Sequence, residues 1–435
     1  MRSKSSTNFV SSPNRFVQWV GRASVRLILF FICVIVVTGT ASAARERAHV
    51  NARVDGLSAR ALVTQPAAAL VDPTSQHAAS VISGYQRSLF FVWLLAQTLA
   101  LGWLWQSGQA ARLRDVLKRV TRAALVLRFC FGAALASIAM IAGLPLRFIA
   151  YRLAFATNLD TRSFGMWLVN ELVAGAVVAI AAGLGVAVVV AFGDRTRLWY
   201  LLGVPFVFAV VGLVALAEPS IDHLVTPVSA VDPPVIQRDL RTFAASLGMT
   251  PPRVVVARNG SGRDDRLDIE GIGPTTQVVI GARMLKASTG SELRFALARA
   301  QSLVALGEHT KMIVMWTLLF VTGLVIAVTI SDRIGFRRDD DPLSRLALVG
   351  GLLGLSAFAV YPLGLTYDRS LESQADRTAM ALTHDPAGAV RSLVRSADDR
   401  YLQVCPAPFD RWYFLRQPPI ADRVHAISGA PSDCG

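Results

Sequence analysis

Two pairs of neighbouring residues, Glu308–His309 and Asp222–His223, have side chains that can bind metals or transfer protons. Glu308 and His309 do not complete an inverted His-x-x-Glu-His zinc motif, because Ala305 stands where its first histidine would be. We interpret this pair as the polar edge of a helix at a membrane surface. His223 could be a metal ligand, but a polar residue at the membrane interface is the more common case.

Other motifs for catalysis or phosphate binding are not evident. Ser302 has no evident histidine partner, and no Gly-x-Ser-x-Gly elbow occurs in the chain. The stretch "GIGPTTQ" lacks the lysine and the helix start of a phosphate-binding loop. His384 and His425 lie in turn-like or amphipathic contexts, which indicates surface residues.

The hydrophobic residues are concentrated in stretches long enough to cross a bilayer. The chain has 435 residues, of which 53% are hydrophobic, and its mean hydropathy is positive. The first stretch also resembles a secretory signal, because a basic leader precedes it and Ala41–Ala43 end it, but its length favours retention. The seven predicted spans are 26–44, 88–107, 124–145, 167–193, 198–217, 312–331 and 344–365. Arg128 and Glu171, inside or at the edge of spans, could line a polar chamber or extend to the interface.

The net charge of +14 does not indicate nucleic-acid binding, because many arginines flank the predicted spans instead of interleaving with aromatics. With a cytoplasmic N-terminus, the short inner segments hold 14 Lys/Arg residues and the short outer loops hold 8. This bias places segments 218–311 and 366–435 outside the cytoplasm, which in a bacterial cell is the periplasm. Cys405 and Cys434 would fit that compartment as a disulfide, although free thiols remain an alternative.

The segment between the fifth and sixth spans has alternating helix and strand patterns. The residues "DPPVIQRDLRTFAASLGM" predict a helix, "TPPRVVVARN" a strand, "GSGRDDRLDIEGIGPT" a polar connection and "TQVVIGARML" a second strand. Residues 291–316 then predict an amphipathic helix that continues into the sixth span without a breaker. After the seventh span, "YDRSLESQADRTAMALTHDP" predicts a further helical stretch.

This layout and three local patterns resemble the integral-membrane zinc metallopeptidases of the CAAX prenyl protease 1 type, peptidase family 48. The family's E-x-x-x-x-L-A-H-E-x-x-H helix aligns with "ELRFALARAQSL". Its E-x-x-A-D-R motif is matched by "ESQADR", from Glu372 to Arg377, and its H-P-P-x-x-x-R tail by "QPPIADRV". The resemblance implies a zinc site in which Glu372 is the third ligand and Asp376 its acidic partner, with Arg377, Pro418 and Pro419 also retained.

Four positions depart from that pattern. Arg299 and Leu303 replace the two histidine ligands, Ala300 replaces the glutamate that activates water, and Gln417 replaces the tail histidine. Arginine remains protonated, and alanine and leucine have no lone pair, so this route offers neither zinc binding nor water activation. We therefore predict no metal and no catalytic residue, and we predict that Arg299 pairs with Glu372 and contacts Asp376 in place of the ion.

The sequence thus predicts a mainly α-helical polytopic membrane protein of about seven transmembrane helices with a small α+β metallopeptidase-like domain. The predicted divisions are a basic segment (1–25), five spans (26–217), a soluble domain (218–311), two spans (312–365) and a helical C-terminal part of the domain (366–435). The predicted location is a bacterial inner membrane.

The predicted function is that of a zinc-free pseudopeptidase that lies in the lipid bilayer. It would bind an extended peptide, added at the edge of the strand "TQVVIGARML", or a membrane-protein partner, and no nucleic acid. The alternatives are an active metalloendopeptidase with a relocated site and a non-enzymatic channel- or carrier-like protein.

Overall fold

The structure, a computed structural model, describes residues 54–160, 162–193, 199–225, 228–230, 234–257, 267–335, 342–432 and 434. These residues are mainly helical. In chain order the helices are α1 (Ala59–Thr64), α2 (Ala67–Leu70), α3 (Pro73–Gln106), α4 (Gln109–Val120), α5 (Ala124–Ala156), α6 (Phe164–Gly193), α7 (Trp199–Val225), α8 (Pro234–Ser246), α9 (Ala282–Ala287), α10 (Gly290–Ala305), α11 (Glu308–Gly335), α12 (Pro342–Thr383), α13 (Pro386–Asp399), α14 (Pro408–Tyr413) and α15 (Ile420–Ser428). The strands are β1 (Val228–Ala230), β2 (Arg253–Ala257), β3 (Leu267–Glu270) and β4 (Gln277–Gly281).

Five helices, α3, α5, α6, α11 and α12, are long and apolar enough to cross a membrane, and α7 contains a shorter apolar stretch over Val204–Ser220. Six of the predicted spans fall on these six helices. The predicted span at 26–44, together with the question of its cleavage, lies outside the described residues. The protein is therefore a multi-pass helical membrane protein, as the sequence predicts.

The segment before the first described span is part of the soluble domain's core. Val54, Leu62 and Leu70 are buried in one hydrophobic cluster with residues of α8, α10, α13 and α15. This shared core means that the segment and the domain lie on the same side of the membrane. Between the two parts, α3, α5 and α6 are long and apolar enough to cross the membrane, and a return to the same side requires a fourth crossing, for which the apolar stretch of α7 is the candidate.

The sheet corrects three sequence-based expectations. Its order is β1-β2-β4-β3, with β2 parallel to β4 and the other pairs antiparallel. The polar connection predicted between two strands contains β3, because Ile269 pairs with Val278 and so extends the sheet. The prediction that the edge of β4 could accept a peptide is wrong, since β4 is paired on both sides. The predicted strand also ends at Gly281, and its last residues form α9.

The helix predicted over residues 291–316 is two helices. α10 ends at Ala305, and Gly307 adopts a left-handed conformation with φ of 64° before α11 begins at Glu308. Glycine adopts this conformation without the Cβ clash that other residues incur, which makes it a common helix terminator. Gly307 is therefore the breaker that the sequence analysis overlooked, and Glu308 and His309 belong to the next helix.

The last predicted span and the helical stretch after it form one continuous helix, α12, of 42 residues. At about 1.5 Å per residue such a helix is roughly 60 Å long, enough to cross the bilayer and continue into the domain. α12 therefore carries Glu372 and Asp376 on the same rigid element that crosses the membrane.

Candidate functional site

Helix α10 positions Arg299 through a buried face. Thr289 caps the helix by accepting a hydrogen bond from the Glu292 backbone N–H. Ala300 and Leu303 are buried, so packed apolar groups fill the positions that the motif resemblance assigns to a catalytic base and a second histidine. Of the small or apolar α10 positions, Ala296 and Leu297 are also buried, whereas Ala305 is exposed.

Arg299 forms ion pairs with both carboxylates of α12. Its Nη2 donates to Oε2 of Glu372, and its Nε donates to Oδ1 of Asp376 over 3.0 Å. Glu372 and Asp376 are one helical turn apart, so they present their carboxylates on one face of α12. The predicted pairing of Arg299 with Glu372, and its contact with Asp376, is confirmed.

Two residues from the tail close a ring of hydrogen bonds around these groups. Arg423 donates to Asp376 from Nε over 2.7 Å and from Nη2 over 2.8 Å, and its Nη1 donates to Oε1 of Gln417 over 3.2 Å. Gln417 in turn donates from Nε2 to Oε1 of Glu372 over 3.3 Å. We call this set the ion-pair ring; its members are Arg299, Glu372, Gln417, Arg423 and Asp376.

The ion-pair ring is electrically balanced, with two guanidinium groups and two carboxylates. All four charged residues have side chains with at most 13% of their area exposed. Burial, reinforced by the neighbouring charge of Arg423, lowers the pKa of Arg299 to about 10, against the opposing effect of Asp376. Arg299 is therefore still charged at neutral pH.

A helix that begins after a proline, α15, positions the two ring members of the C-terminal tail, Gln417 and Arg423. Pro419 is buried directly before α15, and a proline at a helix start leaves no backbone N–H unsatisfied there. Gln417 precedes this start, while Arg423 lies in the first turn of α15. The Cys405–Cys434 disulfide encloses this part of the chain, which settles the alternative of free thiols for the described structure.

Sequence analysis did not assign Arg423 to the site, although its signal was present. Arg423 is the arginine of the H-P-P-x-x-x-R pattern, whose match was used only to recognise the tail. Its side chain is bidentate on Asp376, a geometry that arginine forms and lysine does not.

The residues of the site do not fit a zinc ion. Zinc takes lone pairs from imidazole, thiolate or carboxylate groups, whereas guanidinium has only N–H donors. Both carboxylate oxygens of Glu372 already accept hydrogen bonds, from Arg299 and from Gln417. Across the described parts of the chain, no three His, Cys, Asp or Glu residues are grouped so that they could hold a metal.

Glu308 and His309 lie in a separate polar cluster instead of forming an exposed helix edge. Glu308 is buried, and His309 lies 3.7 Å from it and 3.9 Å from Glu218 of α7. Arg416 also belongs to the cluster. Its Nε donates to Asp368 over 2.8 Å, and its Nη2 lies 3.9 Å from Oε1 of Glu308. The interpretation of this pair as a simple surface feature was therefore wrong for Glu308, because charged neighbours from three other segments surround it.

The remaining candidates have structural roles where the structure describes them. The Ser302 hydroxyl is buried and donates to the Ala298 carbonyl within α10, so it is not available as a nucleophile. His425 contacts the Ala430 carbonyl, and His384 follows the end of α12 with φ of 51°. Glu171 pairs with Arg147 of α5 over 2.8 Å. Arg128 lies in the first turns of α5, and His223 lies near the end of α7.

A second buried ion pair, which the sequence did not reveal, supports α10 from the opposite end. The Glu292 side chain is fully buried and accepts a hydrogen bond of 2.7 Å from Nε of Arg395 in α13. Arg395 also pairs with Asp55. Although burial lowers the pKa of Arg395, its hydrogen bonds with Glu292 and Asp55 outweigh that effect and raise the pKa above its ordinary value.

Comparison with known proteins agrees with the geometry. The model of peptidase family M48 matches residues 234–430. The crystal structure of Ste24p from S. mikatae aligns with a TM-score of 0.66 and 15% sequence identity, covering 92% of this chain and 98% of that chain. At this identity the likeness shows a common fold and no more, and that fold confirms the predicted helical membrane protein with a peptidase-like domain. No curated protein matches the chain.

Proposed function

We propose that the chain is a membrane-embedded member of peptidase family M48, whose model matches residues 234–430, that it lacks peptidase activity, and that an arginine takes the place of the zinc ion. The ion-pair ring is the observation that supports this proposal. Arg299 supplies positive charge to Glu372 and Asp376, and this charge docks α10 against α12 as a bound cation would. A guanidinium group cannot exchange a ligand for water or polarise a peptide carbonyl as a Lewis acid.

The retained architecture then serves binding. A partner peptide could add only to an edge strand of the described sheet, because β4 is internal, and β3 is the edge beside it. A membrane-protein partner would bind the helices. We place the protein in a bacterial inner membrane with the domain in the periplasm, a proposal supported by the Lys/Arg bias and by the Cys405–Cys434 disulfide.

A peptidase assay with restored and control variants tests the proposal. The purified full chain is incubated with unstructured peptides and zinc, beside an Arg299→His/Ala300→Glu/Leu303→His/Gln417→His variant that restores the family motif. We expect no turnover by the wild-type protein.

The alternative of a relocated site is tested in the same assay. Turnover by the wild type that is lost in Glu308→Gln would contradict the proposal and assign the reaction to the cluster around Glu308. Turnover lost in Glu372→Gln would equally contradict it and assign catalysis to the family position.

A further inference from the structure

A cationic groove lies on the side of α12 that faces α14 and α15. The cavity has a volume of about 630 Å³. We call it the arginine groove, defined by Arg369 and Arg377 of α12, Arg411 of α14, and Pro418, Asp422 and Ile427 of the tail. It adjoins the ion-pair ring, because Asp376 and Arg423 also contribute to its wall.

The arginine groove carries positive charge that its own carboxylates do not balance. Arg423 is paired with Asp376, and Arg411 is paired with Asp422 over 2.6 Å. Arg377 is exposed and forms no ion pair with the described part of the chain. Arg369 is held by protein carbonyls instead of a carboxylate, with Nη1 donating to the Leu415 carbonyl over 2.7 Å and to the Arg411 carbonyl over 3.1 Å.

The groove opens where α12 leaves the hydrocarbon region. Leu355 and Leu363 are exposed apolar residues on the part of α12 that spans the membrane, with 46% and 61% of their areas accessible. Continuing along the same helix face from Leu363, the next positions are Thr366, Ser370 and Arg377, which are exposed and polar and line the groove. The change from exposed leucines to hydroxyl and guanidinium groups within a few turns marks the depth of lipid headgroups.

Exposed aromatic side chains beside the groove point to the same depth. Phe409 and Trp412 of α14 are 41% and 54% exposed and flank Arg411 in the sequence. Exposed aromatic residues next to a basic residue and a membrane span are typical of an interfacial anchor.

We propose that the arginine groove binds the phosphate headgroup of an anionic phospholipid. The phosphate would lie between Arg369 and Arg377, and the acyl chains would follow the exposed leucines of α12. The Thr366 and Ser370 hydroxyl groups, which donate to carbonyls within α12, line the groove as polar groups without supplying a donor to the phosphate. The proposed phosphate position lies beside the ion-pair ring, whose Asp376 and Arg423 share the groove wall, and the proposal does not depend on whether the protein has peptidase activity.

The test titrates the detergent-solubilised full chain with phosphatidylglycerol, phosphatidylcholine or inorganic phosphate, and counts bound lipid by native mass spectrometry. We expect one phosphatidylglycerol to bind in clear preference to phosphatidylcholine, and Arg377→Glu to lower its affinity by about tenfold. Arg377 forms no ion pair within the described chain that the substitution would break. Arg241→Glu, an exposed arginine of α8 outside the groove, is the matched control and should bind like the wild type.

Three results would overturn the proposal. They are equal binding of the two lipids by the wild type, an equal loss of affinity in Arg377→Glu and Arg241→Glu, and an unchanged phosphatidylglycerol preference in Arg377→Glu. Displacement of phosphatidylglycerol by equimolar inorganic phosphate would show a site for free anions, and the lipid assignment would then be wrong.

Discussion

Arg299 and Glu372, which are 73 residues apart in the sequence, form an ion pair that joins α10 to α12 at the position where the motif resemblance implies a zinc site. The pair is one side of a ring in which every charged group has an opposite partner. Because burying an unpaired charge is costly, the members of the ion-pair ring should depend on one another energetically.

The first prediction concerns that dependence. Arg299→Ala should lower the free energy of unfolding by about 3–5 kcal/mol, since it leaves Glu372 without its cation in a buried place. Adding Glu372→Gln should recover part of this loss, because a neutral amide replaces the unpaired carboxylate. Thermal unfolding in detergent measures the stability of the single and the double variant. Arg299→Lys, which retains charge but not the forked geometry, is the control and should be intermediate. Additive effects of the two substitutions would refute the coupling.

The second prediction ranks the tail members of the ring. Arg423→Lys should cost more than Gln417→Ala, because Arg423 makes two short hydrogen bonds between charged groups to Asp376, of 2.7 and 2.8 Å, while the uncharged Gln417 makes longer ones of 3.2 and 3.3 Å. We expect a loss of about 2–3 kcal/mol for Arg423→Lys and about 1 kcal/mol for Gln417→Ala, in the same unfolding experiment. The reverse order would mean that the ring is held mainly through Gln417.

The third prediction concerns the segment before the first described span. Arg395→Met should destabilise the domain strongly, since Glu292 is fully buried and loses its cation. Asp55→Asn should have a small effect, because 57% of the Asp55 side chain is exposed and solvent screens its pairing. The rate of cleavage by a protease in the segment after residue 54 measures the effect of each variant. Equal protease sensitivity of the two would show that Arg395 acts mainly through Asp55.

The fourth prediction concerns the disulfide and the side of the membrane. In whole cells, Cys405 and Cys434 should resist alkylation until a reductant is added, because they form a disulfide that would persist in the periplasm proposed for the domain. Cys405→Ser/Cys434→Ser should lower the free energy of unfolding by about 3.6 kcal/mol, the value that the chain-entropy model gives for a sequence separation of 29 residues. A cytoplasm-specific fluorescent reporter fused after Gly435 should stay dark, and bright fusions would contradict the periplasmic assignment.

The sequence allowed prediction of most of the membrane helices and of the Arg299–Glu372 pair. Spans could be predicted because about 20 apolar residues in succession are uncommon outside membrane-spanning helices. The pair could be predicted because a family motif brings position 299 close to Glu372, and a buried carboxylate requires a cation.

Other parts of the site depend on contacts that local sequence patterns do not show. β3 was missed because it has only two apolar residues, Leu267 and Ile269, inside a polar and glycine-rich stretch, and pairing with β4 is what makes it a strand. The burial of Glu292 depends on Arg395, which lies 103 residues away. Gly307 was visible as a helix breaker, but the strong apolar periodicity on both sides of it outweighed one glycine.

The zinc content of the purified full chain is the most direct test of the central claim that Arg299 has replaced the metal. After equilibration with excess zinc and removal of unbound ion, elemental analysis should find far less than one zinc per chain, and the melting temperature should not respond to a chelator. One zinc per chain, lost on substitution of Glu372 by glutamine, would contradict the claim, because the Glu372 carboxylate would then bind a metal instead of Arg299.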